Sequence, residues 1–238
     1  MQALILAGGK GTRLMPYTAN LPKPLMPIEN IPILEVHVKQ LEFFGVKSII
    51  MAVGHLHHMI EAYFKDGSDF GVSIKYSLEV SPLGTAGPIS LVMSDLEDDF
   101  LVLNGDLLTT INFLEIYETH IKEKAAATIA TFSRKVNIDF GVLELDNKSH
   151  LKKYIEKPTF DYKVSMGINV FNKASIQNLV KENEYLDIPN LMMKLKKNNH
   201  KVICHEQDCK WLDIGRVDDY EVAQKVFLQD KSIFLPEK

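Results

Sequence analysis

The chain contains only two cysteines and lacks any long hydrophobic run. Cys204 and Cys209 have no further cysteine or suitable histidine pair nearby, which disfavours both a disulfide framework and a structural zinc site. No stretch approaches the ~20 apolar residues that a membrane span needs. The first apolar run, Gln2–Ala7, is only six residues long, which is too short for a secretory signal. These absences predict a cytoplasmic protein without a membrane partner.

The sequence also lacks an excess of basic residues. With 27 Lys and Arg against 31 Asp and Glu, the net charge is −4. This balance argues against broad nucleic-acid binding, which needs a basic face. Hydrophobic residues make up 46% of the 238 positions, enough for the core of one large α/β domain. Any polyanion bound here is expected to be small and to be held by local cations.

Two common phosphate-binding motifs are absent from the glycine-rich turn that ends the first apolar run. In Gly8-Gly9-Lys10-Gly11-Thr12-Arg13-Leu14, the lysine precedes the last glycine, which breaks the P-loop pattern. Leu14 stands where the dinucleotide motif needs its third glycine. The turn still suits an anion, because glycines let main-chain N–H groups approach a phosphate and Lys10 and Arg13 add positive charge. A turn that only closes a βα unit is the alternative.

A second basic position follows in Leu21-Pro22-Lys23-Pro24-Leu25. A proline on each side of Lys23 restricts the backbone, so the ammonium group is aimed in one direction. Lys23 and Arg13 together favour phosphate binding over a purely structural turn.

These two segments together resemble the signature of the sugar-1-phosphate nucleotidylyltransferases, also called NDP-sugar pyrophosphorylases. The resemblance extends to about Gln229. It implies an α/β fold with a Rossmann-like, mainly parallel twisted sheet, helices on both faces and a small antiparallel sugar-binding lobe. Strand–helix alternation over the first 80 residues independently predicts a parallel sheet, with ligands at the carboxyl ends of its strands. We expect one domain, in which residues 1–133 mainly bind the nucleotide, 134–171 form the lobe, and 172–238 supply C-terminal helices and a metal aspartate.

A further loop with glycines, residues 79–88, follows the third predicted strand. Gly84 and Gly87 around Thr85 suggest backbone laid against a flat ligand, although a βα connection also uses a glycine or two. In the resembled family this loop holds the nucleobase, and Pro-Leu-Gly-Thr-Ala-Gly-Pro resembles the guanylyl branch most. The resemblance assigns nucleotide binding to Leu6, Ala7, Gly8, Gly9, Gly11, Thr12, Glu79, Gly84 and Thr85.

Asp106 follows the apolar strand Phe100–Leu103. A carboxylate in this position is costly unless it is paired or bound to a cation, and Mg²⁺ accepts one or two carboxylates. A residue that only caps the following turn is the alternative. The resemblance makes Asp106 a ligand of Mg²⁺ and Asp213, in Trp211-Leu212-Asp213-Ile214-Gly215, the second one.

A hairpin is predicted where Phe140–Leu145 precedes Leu151–Ile155 across a polar turn. It leads into Glu156-Lys157-Pro158. Taken alone, this charged pair indicates only an exposed surface, but the segment matches an element of the resembled family. The resemblance assigns sugar hydroxyls to Glu156 and the sugar phosphate to Lys157, with further sugar contacts from Gly141, Ser165 and Asn169. Relatives often carry Asn at position 165 and Tyr at 169, so the resemblance does not identify the sugar.

The reaction implied by the resemblance converts an NTP and a sugar 1-phosphate into an NDP-sugar and pyrophosphate, with Mg²⁺ as cofactor. Its catalytic residues would be Arg13, Lys23, Asp106 and Lys157. The amino-acid sequence of the 79–88 loop favours GTP with mannose 1-phosphate or a related hexose or heptose 1-phosphate. Three alternatives stay open: UTP, dTTP or CTP as donor, a non-sugar phosphate as acceptor, and a non-catalytic nucleotide-sensing subunit. Small-molecule substrates are the expected partners, and the chain could also assemble into a homo-oligomer.

Overall fold

Strands and helices alternate through residues 1–236, the part of the chain that the computed structural model describes; residues 237 and 238 of the expected C-terminal part lie outside it. The strands are β1 (Gln2–Ala7), β2 (Pro27–Ile28), β3 (Ile31–Pro32), β4 (Ser48–Val53), β5 (Ser73–Leu78), β6 (Asp99–Asn104), β7 (Leu107–Thr109), β8 (Ala127–Asn137), β9 (Val142–Leu145), β10 (Leu151–Ile155), β11 (Thr159–Asn172), β12 (Val202–Glu206) and β13 (Trp211–Asp213). The helices are α1 (Ile33–Phe43), α2 (His57–Phe64), α3 (Pro88–Leu91), α4 (Phe113–Glu123), α5 (Lys173–Ile176), α6 (Ile188–Lys197), α7 (Val217–Gln229) and α8 (Lys231–Phe234).

A seven-stranded sheet in the order β12-β8-β11-β6-β1-β4-β5 forms the centre of the molecule. Strand β1 pairs in parallel with β4 and β6, β5 is parallel to β4, and β12 is parallel to β8. Strand β11 is antiparallel to both of its neighbours. Continuous apolar strands such as β1 suit this sheet because both of its faces are covered. The expected mainly parallel α/β fold is confirmed.

Helices cover both faces of the sheet and create two main core clusters. Leu34 of α1, Ile60 of α2 and Ile116 of α4 are buried in one cluster. Ile89 of α3 and Leu191 of α6 are buried in the other. A third cluster joins α7 and α8 to the segments that follow the glycine turn, and its buried members include Leu14, Met26, Phe227 and Phe234.

The carboxyl ends of β1, β4, β5 and β6 meet at one edge of the sheet, because these strands run in the same direction. The glycine turn, the loop of residues 79–88 and Asp106 all leave from this edge. There β7 pairs with β13 in a small antiparallel sheet that places Asp213 opposite Leu107. The Ile214 N–H also donates to the Asp106 carbonyl, at 3.2 Å. This short pairing brings the two predicted metal aspartates together.

The predicted hairpin is present as β9–β10, and a lobe forms beside it where β8 and β11 continue beyond the central sheet. Strand β8 extends to Asn137 because residues 159–165 of β11 pair with its exposed end. A bulge between Ser165 and Asn169 interrupts that pairing. Gly167 lies in the bulge at a φ of 74°, and an added Cβ would lie 2.7 Å from the Asn104 amide nitrogen.

The loop of residues 79–88 leads into a single α-helical turn, α3, which is followed by a short 3-10 helix. Cys204 and Cys209 are free thiols, as expected. Within residues 1–236, no helix combines the length and the apolar composition that crossing a bilayer requires.

Candidate active site

A cleft of about 850 Å³ opens at the carboxyl edge of the sheet. Its floor includes Leu6, Ala52 and Asn104, which end neighbouring strands. The glycine turn forms one wall and the loop of residues 79–88 forms another. The candidate residues that line the cleft are Leu6, Ala7, Gly8, Gly9, Lys23, Glu79, Gly84, Thr85 and Asp106.

The glycine turn is shaped by close packing at two of its positions and is open at a third. A Cβ added at Gly54, after β4, would lie 2.7 Å from the Gly8 carbonyl oxygen. Gly11 has a left-handed φ of 64°, and its carbonyl accepts a hydrogen bond from the Thr18 hydroxyl at 2.8 Å. A Cβ at Gly9 would meet no atom within 4 Å. Gly9 is therefore where an anion has the freest approach, whereas Gly11 and Thr12 do not line the cleft.

Lys23 is held at the base of the cleft by its flanking prolines. It begins a 3-10 helix, preceded by Pro22 and followed by Pro24. Its residue is only 7% exposed, and its ammonium donates to the Asp106 carboxylate. Because a buried cation needs a partner, this ion pair fixes both side chains. The aimed lysine predicted from the sequence is found, and its partner in this state is a carboxylate.

Asp213 completes a compact group of charges. Partial burial, followed by the neighbouring Asp106 carboxylate, raises the pKa of Asp213, while Lys23 and Arg13 act in the opposite direction. Arg13 reaches this region beside Gly215, where an added Cβ would lie 3.5 Å from a guanidinium nitrogen. The cluster therefore holds two repelling carboxylates next to two cations.

The donor set fits Mg²⁺ better than a metal caged entirely by protein ligands. In residues 1–236 no group of three or more His, Cys, Asp or Glu side chains converges on one point, so the chain offers two carboxylates here. Mg²⁺ typically takes one or two carboxylates and fills its octahedron with water and substrate phosphates. A dication would also relieve the repulsion that raises the pKa of Asp213.

The glycines of the 79–88 loop pack closely against another segment of the chain. Gly84 has a left-handed φ of 78°, and an added Cβ would lie 2.6 Å from the Leu186 carbonyl oxygen. A Cβ at Gly87 would lie 2.8 Å from the Glu184 carbonyl oxygen. The close neighbour that requires these glycines is therefore the protein's own chain. Glu79 lies at the mouth of the loop, where burial raises the pKa of its carboxyl group.

The candidate residues on the sugar side are not gathered in the same way. Glu156, Gly141 and Ser165 do not line the cleft. Lys157 is exposed in the turn after β10, at a φ of 44°. Asn169 is 1% exposed, and neither of its side-chain amide atoms has a hydrogen-bond partner among residues 1–236. This burial gives Asn169 no direct route to a sugar in the cleft.

Sequence reasoning missed several residues that line the cleft. Gly54 and His55 directly follow β4, so the rule that ligands bind at strand carboxyl ends was a signal for them. Tyr185 and Asp187 reach the cleft from the segment before α6. No motif or spacing in the sequence links that segment to the loop it faces.

A family profile described as nucleotidyl transferase matches residues 2–230. The chain belongs to the nucleotidyl transferase family. This nucleotidyl transferase is 33% identical to a D-glycero-alpha-D-manno-heptose 1-phosphate guanylyltransferase of Aneurinibacillus thermoaerophilus, covering 94% of this chain and 97% of that one. It is 32% identical to a mannose-1-phosphate guanyltransferase of Yarrowia lipolytica, over 100% of this chain and 67% of the relative. The family resemblance found in the sequence is confirmed.

Other similarities add a second nucleotide class and the fold. A UTP–glucose-1-phosphate uridylyltransferase of Synechocystis is 33% identical over 92% of this chain, which spans 61% of that relative's length. A crystal structure described as a putative glucose-1-phosphate thymidylyltransferase of Bacillus anthracis superposes with a TM-score of 0.78 at 24% identity, covering 95% of this nucleotidyl transferase and 94% of that chain. HddC of Yersinia pseudotuberculosis gives 0.73 at 25% identity, covering 95% and 99%.

Proposed function

We propose that this nucleotidyl transferase makes an NDP-sugar and pyrophosphate from an NTP and a sugar 1-phosphate. The observation that carries the proposal is the grouping of Lys23, Asp106 and Asp213 at the edge of the sheet, beside a glycine turn that is open to an anion at Gly9. The named relatives, which transfer nucleotidyl groups to sugar 1-phosphates, support the same reaction.

The chemistry requires charge neutralisation more than it requires a base. An oxygen of the sugar phosphate forms a bond to the α-phosphorus of the NTP, and the bond from that phosphorus to the bridging oxygen breaks, which releases pyrophosphate. The attacking phosphate monoester is already ionised at neutral pH. Repulsion between two anions and their orientation are therefore the main obstacles, and fixed cations in a formed cleft reduce both.

Three basic residues divide this task. Lys23 has three donors on its ammonium group, so it can keep Asp106 as a partner and also donate to the α-phosphate. Arg13, beside Gly215, neutralises the leaving pyrophosphate. Lys157, which is exposed in the turn after β10, neutralises the incoming sugar phosphate. Glu156, next to it, accepts hydrogen bonds from sugar hydroxyls.

Asp106 and Asp213 would hold Mg²⁺. The bound ion would polarise phosphate oxygens and offset their negative charge. The two carboxylates suit this role because Asp213 ends β13 and Asp106 directly precedes β7, and the pairing of these two strands holds both at the same edge. Lys23 orients Asp106 through their direct contact.

GTP with mannose 1-phosphate or a heptose 1-phosphate is the proposed substrate pair. Guanine presents N1–H and N2–H₂ donors, which need acceptors. Glu79 and its loop line the cleft, and the Glu79 carboxylate and the main-chain carbonyls of the loop would supply these acceptors. Adenine would leave such acceptors unpaired, at a cost of about 1–3 kcal/mol each. The guanylyl relatives support this choice. UTP is the second candidate, because the uridylyl relative is equally similar at 33% identity.

The test is a pyrophosphate-release assay with Mg²⁺, in which GTP, UTP, dTTP, CTP and ATP are each combined with mannose, glucose and heptose 1-phosphates. Phosphocholine serves as the non-sugar acceptor. The expected result is turnover of GTP with mannose or heptose 1-phosphate. A preference for another NTP would overturn the nucleotide assignment. Turnover with phosphocholine as the only accepted substrate would overturn the assignment of a sugar phosphate as the acceptor. NTP binding without any pyrophosphate release would favour a nucleotide-sensing subunit.

The wider cellular setting is proposed on the sequence properties alone. A cytoplasmic location and the absence of nucleic-acid or membrane partners follow from the composition and the net charge of −4. Assembly into a homo-oligomer is a separate question, which sedimentation of the purified chain would answer.

A further inference from the structure

The loop after Leu83 is attached to a segment that lies far away in the sequence. The Leu186 N–H donates to the Leu83 carbonyl at 2.9 Å. In return, the Leu186 carbonyl accepts from the N–H groups of Ala86 and Gly87, at 2.8 and 3.0 Å. The loop of residues 83–87 is thereby joined to the segment of residues 184–188 on both sides of Leu186.

Side chains extend this attachment in a reciprocal arrangement. The Asp187 carboxylate accepts from the backbone N–H of Thr85 at 3.1 Å and from its hydroxyl at 3.2 Å. The Thr85 hydroxyl accepts in turn from the Ile188 N–H at 2.9 Å. The second Asp187 oxygen accepts from the Tyr185 hydroxyl at 2.8 Å. Both carboxylate oxygens therefore serve to hold or orient this contact.

The bonding of Asp187 is unusual for its position. It is the N-cap residue of α6, where an aspartate usually accepts from an N–H of the first helical turn. Here its side chain makes no such capping hydrogen bond and is directed to Thr85 instead. The first N–H of the helix, that of Ile188, is satisfied by the Thr85 hydroxyl. The Asp187 side chain therefore bonds to a distant segment instead of capping its own helix.

The contact leaves the loop little freedom. An added Cβ at Gly84 would lie 2.6 Å from the Leu186 carbonyl oxygen and 2.9 Å from an Asp187 carboxylate oxygen. The loop leads into α3 and the segment into α6, and both helices pack in the same core cluster. Gly84, Thr85, Tyr185 and Asp187 also line the cleft. The position of the cleft wall therefore depends on this contact.

We propose that Asp187 is a positioning residue that sets the nucleobase loop, and through it the choice of NTP. This inference rests on the proposed function, in which the loop carbonyls and Glu79 face the base. Asp187 acts through Thr85, so its loss should displace the loop while leaving the Lys23–Asp106 pair intact. The effect should fall on the NTP and spare the sugar phosphate.

The experiment compares Asp187→Ala, Asp187→Asn and Tyr185→Phe with the wild type, with Glu184→Ala as the matched control. Glu184 is exposed on the same segment, and its carboxylate pairs with Lys181 at 3.4 Å. Two readouts are taken for each protein: kcat and KM for every NTP and for the sugar phosphate, and hydrogen exchange of residues 79–87 without ligands. Thermal unfolding checks that each variant is folded.

For Asp187→Ala we expect KM for the preferred NTP to rise by about tenfold, as suits the loss of a set of partly buried hydrogen bonds. Discrimination between NTPs should shrink, exchange should accelerate within 79–87, and KM for the sugar phosphate should not change. Asp187→Asn should have a smaller effect than Asp187→Ala, because the amide oxygen still accepts hydrogen bonds from Thr85. Tyr185→Phe should have a smaller effect, and Glu184→Ala none.

The inference is overturned if Asp187→Ala leaves both the NTP selectivity and the loop exchange at wild-type values. It is also overturned if exchange rises throughout the chain together with a lower Tm, since that would indicate a general structural role. An inactive wild-type protein would overturn the proposed function instead. In that case the exchange comparison still decides whether Asp187 fixes the loop.

Discussion

The two halves of the proposed site are built in different ways, and strand β8 passes through both. At its start, Ala127 and Thr128 are fully buried in the central sheet, whereas residues 134–137 are exposed in the lobe. On the nucleotide side, strands from distant parts of the chain end at one edge and bring their loops into one cleft. On the lobe side, the β9–β10 pairing is local, and the candidate sugar residues do not line the cleft.

The difference shows in the two lysines assigned to phosphates. Lys23 is 7% exposed and bonded to Asp106, whereas Lys157 is exposed in a turn. A buried charge interacts strongly with its neighbours, while an exposed one is screened by water and salt. The nucleotide side therefore holds its lysine in a buried ion pair, whereas the lysine on the lobe side is exposed to solvent.

The largest effect is expected from Asp106→Asn and Asp213→Asn. Each should lower Mg²⁺-dependent turnover at least about 100-fold, the scale on which loss of one preorganised electrostatic group acts. Steady-state pyrophosphate release measures this loss. Glu156→Gln in the lobe is the comparison variant, and it should raise KM for the sugar phosphate with a smaller loss of kcat. Near-normal turnover in either aspartate variant would show that the residue is not a metal ligand.

The two aspartate variants should differ in stability without Mg²⁺. The pKa of Asp213 is raised in the fold, so its ionised form is disfavoured there, and at neutral pH Asp213→Asn should raise the Tm. Asp106→Asn should lower the Tm, because it leaves the buried ammonium of Lys23 without its partner. Thermal unfolding in EDTA at pH 7 tests this, and shifts of the same sign would contradict the charge arrangement.

The lysines should divide their effects between the two halves. Lys23→Ala should mainly lower kcat, because charge rearranges at the α-phosphate that Lys23 is proposed to contact. Lys157→Ala should mainly raise KM for the sugar phosphate, because the proposed role of Lys157 is to neutralise that substrate in the ground state. Kinetics with each substrate varied in turn separate these outcomes. Equal changes in both parameters for both variants would refute the division.

Acid should destabilise the nucleotide half through His37. Burial is the main cause that lowers the pKa of this histidine from 6.5 to about 4, against the charge of Asp106 and the backbone of Leu107. Since the unfolded chain takes up a proton below pH 6.5 and the folded chain does not until about pH 4, stability is lost as pH falls through this window, by about 3 kcal/mol. Above pH 6.5 the contribution is constant.

Urea unfolding at several pH values measures this dependence. His37→Leu should flatten the curve between pH 6.5 and 4. The matched control is His150→Leu on the hairpin, whose exposed ring pairs only with Asp146 among the contacts recorded within residues 1–236. The control should leave the curve close to that of the wild type. An unchanged curve for His37→Leu would mean that another group takes up the proton.

The smallest effect is expected at two glycines with superficially similar crowding. Gly84→Ala should cost about 1–3 kcal/mol, because its left-handed backbone and the Leu186 carbonyl both oppose a side chain. Gly141→Ala would approach the Tyr154 hydroxyl to 2.5 Å, but Tyr154 is 60% exposed and free to rotate. Its cost should stay within about 0.5 kcal/mol. Chemical denaturation at neutral pH compares the free energies of unfolding of the two variants. Equal losses would show that the two regions do not differ in rigidity.

Elements with strong local patterns were predictable from the sequence. Helices were expected in the C-terminal part, which contains α7 at Val217–Gln229, and the β9–β10 hairpin was expected from its turn and flanking strands. The strands β7 and β13 were not, because three residues carry no periodicity that marks a strand. Their pairing is what places Asp213 next to Asp106. Which carboxylates share a site could therefore not be derived from spacing alone.

The sequence by itself determined the family, the parallel α/β class, the glycine turn and the aimed Lys23, since these depend on local backbone chemistry and on apolar patterns. Only the tertiary structure decided that the Gly84 and Gly87 positions face Leu186 and Glu184, and that Asp187 bonds to Thr85. Only it buried Asn169 inside the sheet. These features arise from contacts between segments far apart in the chain, and such contacts are set by how sheets and helices pack. These contacts cannot be inferred from the spacing of residues in the sequence.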